Sequence, residues 1–132
     1  MNQLEKYYPQ VLSIVRIVAA LLFMEHGLMK ILHFPIAQPG VTGPLPPLLM
    51  AAGLIEIVGG ALLALGLFTR VVAFICSGEV ALAYFMVHAK QSFFPGVNGG
   101  DSAILFCFIF LLLACSGPGP ISLDAAMGKS GS

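Results

Sequence analysis

The stretch that decides the fold is PLLMAAGLIEIVGGALLALG, Pro47 to Gly66. Its length matches the roughly 20 helical residues that cross the hydrocarbon core of a bilayer. Proline suits a first helical turn and glycine a C-terminal cap, so the stretch reads as one complete helix. Its single charge, Glu56, falls near the midpoint. Nine Leu, Ile or Val residues surround it, each contributing about −0.3 to −0.6 kcal/mol on an insertion scale. Their sum offsets one central carboxylate at roughly +3 kcal/mol. Gly53, Gly60 and Ala64 lie near the face that carries Glu56, and faces of small residues let membrane helices approach closely. Glu56 is therefore expected to point into a helix bundle rather than at lipid.

Working outward, three more apolar stretches appear, at 10–32, 70–88 and 102–116, separated by proline- and glycine-rich loops at 33–46 and 89–101. Proline and glycine at that density cannot continue a helix. Thr69 is expected to cap the third span, and Asp101 or Ser102 to open the fourth. Short connections between successive spans favour antiparallel neighbours. The expected architecture is an all-α integral membrane protein, a single domain over 1–132 built as an antiparallel four-helix bundle.

Composition agrees with that reading. Of 132 residues, 58% are hydrophobic and 9% charged, and mean hydropathy is +0.97. A soluble domain is normally about one quarter charged. Formal net charge is zero, so the basic footprint of a nucleic-acid binder is missing. Cys76, Cys107 and Cys115 form no C-x-x-C pair, which argues against a dithiol enzyme and a zinc site. No cofactor motif is evident. Lys6 before an apolar run imitates a signal peptide, but no small-x-small cleavage site follows, so the run is read as a retained first span. An even number of spans puts both termini on one side. Lys6, Arg70 and Lys129 on that side, against Lys30 and Lys90 opposite, favour cytoplasmic termini.

Ionisable groups inside spans mark functional sites by default, because they are costly to insert. In FMEHGLMK, Phe23 to Lys30, the charges Glu25, His26 and Lys30 fall in the outer half of the first span. Arg16 lies in its other half. His26 and Lys30, four apart, share a helical face; Glu25 is about 100° round from His26. Glu79 sits at the midpoint of the third span, level with Glu56. Arg16, Glu25, His26, Lys30, Glu56 and Glu79 are the candidate intramembrane polar site, with His88 and Asp101 as further polar groups at its outer side. Plain structural pairing competes with this reading for any one of them, although buried ion pairs seldom improve on apolar packing. His26 and His88 also suggest a bis-histidine haem, but a structural or proton-relay role is the better reading of two histidines in a bundle.

The residues resemble the DoxX family of small bacterial inner-membrane proteins. The matching pieces are Arg16 followed by F-x-x-HG-x-x-K (Phe23, His26, Gly27, Lys30) and G-x-x-E-x-x-GG-x-L-L-x-x-G-x-x-TR from Gly53 to Arg70. Further on come AYF-x-x-H (Ala83 to His88), the NGG-acid turn at Asn98 to Asp101, and GPGP-x-SLD from Gly117 to Asp124. The acid after NGG is usually Glu; here it is Asp101. The resemblance implies a multi-pass bacterial inner-membrane protein of a redox-associated group, some of whose members are linked to quinone-coupled oxidation of thiosulfate and others to oxidative-stress complexes. Three readings follow. The first is a quinone-linked membrane subunit serving a partner oxidoreductase. The second is a transporter for a small solute or protons. The third is a non-catalytic scaffold, as a homo-oligomer or beside a partner enzyme. Whether the chain is itself an enzyme is left open by its residues.

Overall fold

The computed structural model describes residues 2–41 and 43–128, and Lys129, counted above in the charge asymmetry, lies outside them. The elements are α1 (Asn2–Glu5), α2 (Tyr8–Ile31), α3 (Pro47–Leu65), α4 (Thr69–Ala83) continued by a π-turn (Tyr84–His88), α5 (Pro95–Asn98), α6 (Asp101–Ser116) and α7 (Leu123–Ala126). Three helical stretches, Tyr8–Ile31, Pro47–Leu65 and Thr69–His88, are long and apolar enough to cross a membrane; α6 is apolar and shorter.

Each long helix packs antiparallel to its neighbours in the cyclic order α2, α3, α4, α6. Gly27 of α2 meets Gly53 of α3, while Ala20 and Met24 meet Gly60. Ser77 of α4 donates to the Cys107 carbonyl of α6 at 2.8 Å. Phe23 of α2 closes the ring against Phe110 of α6, with centroids 4.8 Å apart and planes at 70°. Lipid removes the hydrophobic drive between helices, so close backbone approach and packing must hold them. A Cβ on Gly27 would lie 2.6 Å from the Gly53 carbonyl oxygen and 2.8 Å from the Glu56 Cβ. That crossing leaves no room for any side chain. The core of Ala20, Phe23, Leu63, Ala73, Cys76, Phe110 and Leu113 is fully buried, while Val18, Leu54, Val71, Phe74, Leu82 and Phe108 project outward as a lipid-facing surface requires.

The end of the bundle that carries the termini is held by charged side chains on helix ends. Arg16, fully buried, donates from Nε to the Leu63 carbonyl at 2.8 Å and from Nη2 to Ile121 at 2.6 Å and Ala64 at 3.5 Å. Its Nη1 donates to Pro118. These are the last carbonyls of α3 and the loop after α6. Such carbonyls lack intrahelical partners and carry partial negative charge. Arg70 serves α6 in the same way, donating to Ala114 at 3.2 Å and to Cys115.

One expected cap is corrected here. The residue before α4 is Phe68, in the left-handed region at φ 53, and Thr69 is already helical. The cap comes from far along the chain: Asp124 accepts from the Phe68 and Thr69 amides, each at 3.0 Å. A carboxylate placed there also complements the helix dipole. Asp101 opens α6 as expected, and the residue before it is Gly100. The Asn98 side chain accepts its amide at 2.8 Å, which leaves Asp101 exposed as the first helical residue.

Candidate functional site

At the end opposite the termini the four helices diverge around a chamber of about 440 Å³, within the size range of small-molecule sites. Phe23, His26 and Lys30 of α2, Glu56 of α3, Glu79 of α4, and Ser102 and Phe106 of α6 line it. Gln38 and Pro39 of the α2–α3 loop, with Gly99, form its rim. The Phe23, Phe110, Leu63 and Leu113 layer closes the chamber towards the termini, each of these side chains being 2% exposed or less.

Lys30 and Glu56 form an ion pair across the α2–α3 crossing, with Nζ 2.8 Å and 3.0 Å from the two carboxylate oxygens. Their side chains are 9% and 7% exposed, so water does little to screen the pair. The geometry depends on Gly27, whose missing side chain lets the backbones approach one turn away. Glu79 has no such partner. Both of its carboxylate oxygens are buried, and neither has a hydrogen-bonding partner among the described residues. Gln38, at the rim, contributes a third buried oxygen without a partner among the described residues.

Both histidines line the chamber and are oriented by backbone carbonyls. Nδ1 of His26 lies 2.8 Å from the Leu22 oxygen, and Nδ1 of His88 lies 3.0 Å from the Asn98 oxygen. A carbonyl only accepts, so Nδ1 carries the hydrogen in each ring, and Nε2 of the neutral ring is an acceptor. The His26 ring stands edge-on to Phe106 with centroids 5.7 Å apart. His88 reaches the chamber because of the π-turn. In an unbroken α-helix, at about 100° per residue, it would lie roughly 180° from Glu79. The bond from the Ala89 amide to the Tyr84 carbonyl at 2.9 Å spans five residues and turns the helix end back. Such π-turns recur at functional sites. No periodicity in the sequence signals this one.

The structure thus divides the expected polar set. His26, Lys30, Glu56, Glu79 and His88 share one chamber. Arg16 does not join them: it is committed to carbonyls at the opposite end, because helix C-termini there lack other donors. Glu25 is exposed on the outer face of α2, since the step that turns His26 inward turns its neighbour out. Asp101 is exposed beyond the rim. Asn98 was read only as part of a turn, yet it is buried and binds Tyr84 Oη at 3.2 Å, the Ser92 carbonyl at 2.9 Å and the Gly100 amide. It fixes the loop that carries the His88 acceptor. Among the described residues no group of three or more His, Cys, Asp or Glu side chains is arranged to hold a metal ion.

Comparison with known proteins agrees with this architecture. The chain is 50% identical over 128 residues to an uncharacterised protein of Haemophilus influenzae, covering 94% of this chain and 96% of the relative. It is 32% identical over 123 residues to the inner membrane protein YqjF of Escherichia coli, covering 88% of this chain and 91% of that protein. No solved structure matches. With membrane-length helices and such a relative, the chain is a multi-pass inner-membrane protein. The family model described as DoxX matches residues 11–89, the segment that carries the Gly27–Gly53 crossing, the Lys30–Glu56 pair, Glu79 and His88, and the chain belongs to the DoxX family.

Proposed function

We propose that the protein is a redox-associated membrane subunit whose chamber binds the dihydroxy, reduced form of a quinone-type ring from the outer half of the bilayer. The observation that carries the reading is Glu79, a carboxylate on the chamber wall with two buried oxygens and no partner. A buried polar group without a hydrogen bond is costly, and a ligand that donates to it removes that cost. The remaining wall is consistent with a donor ligand. Lys30 spends two of its three donors on Glu56, and His26 and His88 offer acceptors. Phe23 and Phe106 supply aromatic surfaces for a flat ring. Oxidising such a ring releases two protons and two electrons; the electrons pass to a partner oxidoreductase, Glu79 takes one proton, and the other goes to the neutral Nε2 of a chamber histidine, His26 or His88. The apolar layer beneath the chamber supports a one-sided binding site over a continuous solute path. Cytoplasmic termini, favoured by Lys6 and Arg70, put the chamber mouth at the outer face.

The test is binding to purified protein in nanodiscs, using a tail-less hydroquinone and its dimethyl ether, which keeps the ring but has no donor. The hydroquinone should bind and raise the unfolding temperature; the ether should do neither, and Glu79→Leu should abolish the effect. Equal binding of the two compounds, or of neither, overturns the reading. Uptake of a small solute or protons into proteoliposomes, abolished by Glu56→Gln, would favour transport instead.

A further inference from the structure

A second cavity lies on the lipid-facing side of the α3–α4 pair, about 410 Å³ in volume. Leu48, Ala52 and Ile55 of α3 and Ile75, Leu82 and Met86 of the α4 stretch line it. Leu48, Ile75, Leu82 and Met86 are all strongly exposed, so the groove opens sideways into the hydrocarbon. Glu79 and Ala83 line this groove as well as the chamber, and among the described residues Glu79 is the only ionisable one on the groove wall. The same partnerless carboxylate therefore forms part of the boundary between a polar chamber and an apolar furrow. Gly78 borders the furrow, and a Cβ there would meet nothing within 4 Å. The two lobes together match one amphipathic molecule: a hydrogen-bond-donating head in the chamber and a hydrocarbon tail along α3 and α4.

We infer that the α3–α4 groove is a lateral portal which holds the hydrocarbon tail of the chamber's ligand, admitting it from the membrane rather than through the loop-covered mouth. This rests on the chamber reading above and specifies the ligand further, as a lipid-tailed donor. An apolar tail laid in the groove leaves bulk lipid only for surface of matching shape, so its contribution comes from packing against the groove walls. Blocking the groove should therefore remove a tail-dependent gain while leaving head recognition alone.

Gly78→Leu makes the block. Its Cβ has open space, and leucine favours a helix over glycine, so the helix keeps its place. Binding of two probes, a tail-less hydroquinone and its decyl-tailed counterpart, is measured on wild type and Gly78→Leu in nanodiscs of one lipid composition. Partition of each probe into lipid is the same for both proteins, so the ratio of ratios isolates the groove. The wild type should bind the tailed probe at least tenfold tighter, and Gly78→Leu should reduce that advantage by fivefold or more with tail-less affinity unchanged. Unchanged tail-less affinity also shows that the variant is folded; Ala52→Leu, on the facing wall, serves if it is not. An undiminished tail advantage in the blocked variants refutes the portal while the chamber reading stands. A changed oligomer mass with an undiminished tail advantage refutes it in favour of a second copy covering the groove. If neither probe binds the wild type, the chamber reading fails and takes the portal with it.

Discussion

Glu79 is predicted to trade stability for binding. Both of its oxygens are buried without partners among the described residues, in a chamber whose polar groups Lys30 and Glu56 are already paired with each other. Leaving a buried polar group unsatisfied costs about 1–3 kcal/mol. Leucine is close to glutamate in size and needs no partner, so Glu79→Leu should recover most of that sum in the ligand-free protein. For a chain of this length, 1 kcal/mol shifts the unfolding temperature by about 3–5 °C, which gives a rise of roughly 3–15 °C. Glu79→Gln keeps a polar group at the same place and should gain less. The chain has no tryptophan, so unfolding is best followed with a thiol-reactive dye on Cys76, which is 1% exposed. Cys115 is exposed and is first replaced by serine to lower the background. A fall in unfolding temperature for Glu79→Leu would refute the reasoning, because it would mean that Glu79 has a structural partner and that the chamber carries no cost for a ligand to relieve.

The Lys30–Glu56 pair should show strong and asymmetric coupling. Lys30→Met leaves two carboxylates facing the chamber without a cation and should cost about 3–5 kcal/mol, whereas Glu56→Gln leaves Lys30 free to turn to Glu79 and should cost less. The double variant should be more stable than the sum of the two predicts, and simple additivity in thermal unfolding would discard the pairing as a source of stability. Arg16→Met removes the donors from four backbone carbonyls and should also cost about 3–5 kcal/mol, the range for stripping one partner from a buried charged contact. Hydroquinone affinity of the surviving folded fraction should stay within twofold, and a larger loss would tie Arg16 to the chamber. Gly27→Leu inserts a side chain where a Cβ alone lies 2.6 Å from the Gly53 oxygen, so overpacking should cost about 1–3 kcal/mol or more. Thermal unfolding should show the loss, and an unfolding temperature equal to that of the glycine form would count against the close crossing.

The membrane fold was legible in the sequence because insertion is close to a one-dimensional problem. Summed side-chain transfer energies, the proline and glycine punctuation, and the scarcity of charges within each span specify helices before any contact is known. Which polar groups meet is a three-dimensional problem, and the sequence carries it unevenly. Lys30 and Glu56 were both visible as misplaced charges; that they satisfy each other depends on Gly27 and Gly53 bringing two backbones together. Arg16 was grouped with the polar site, but its acceptors are backbone carbonyls of α3 and of the loop at 117–121, which have no sequence signature. His88 was expected only at the outer side of the site; what turns it into the chamber is the π-turn at Tyr84–His88, which breaks the 3.6-residue period that reading along a helix assumes. Asp124 sat in a recognisable motif, yet its service to the first amides of α4, more than fifty residues away, could not be read from spacing.

These two kinds of polar group answer opposite demands on a small membrane bundle. Helices of this length in lipid gain little from hydrophobic burial against one another, so a cavity among them is a threat to closure. At the termini end every charged group that enters the bundle is spent on a helix end: Arg16 on α3, Arg70 on α6 and Asp124 on α4. Ser13 adds to this by donating to the Pro118 carbonyl and accepting from the Ile121 amide, each at 3.1 Å. At the other end one neutral pair, Lys30–Glu56, holds α2 to α3, and the remaining wall groups are left with unused hydrogen-bonding capacity. That division locates the freedom to evolve. On the proposed reading of the chamber, Glu79, His26 and Ser102 are free to change with the ligand without loosening the bundle, whereas a change at Arg16 or Asp124 strikes the fold itself. The fastened end is what allows the other end to stay open.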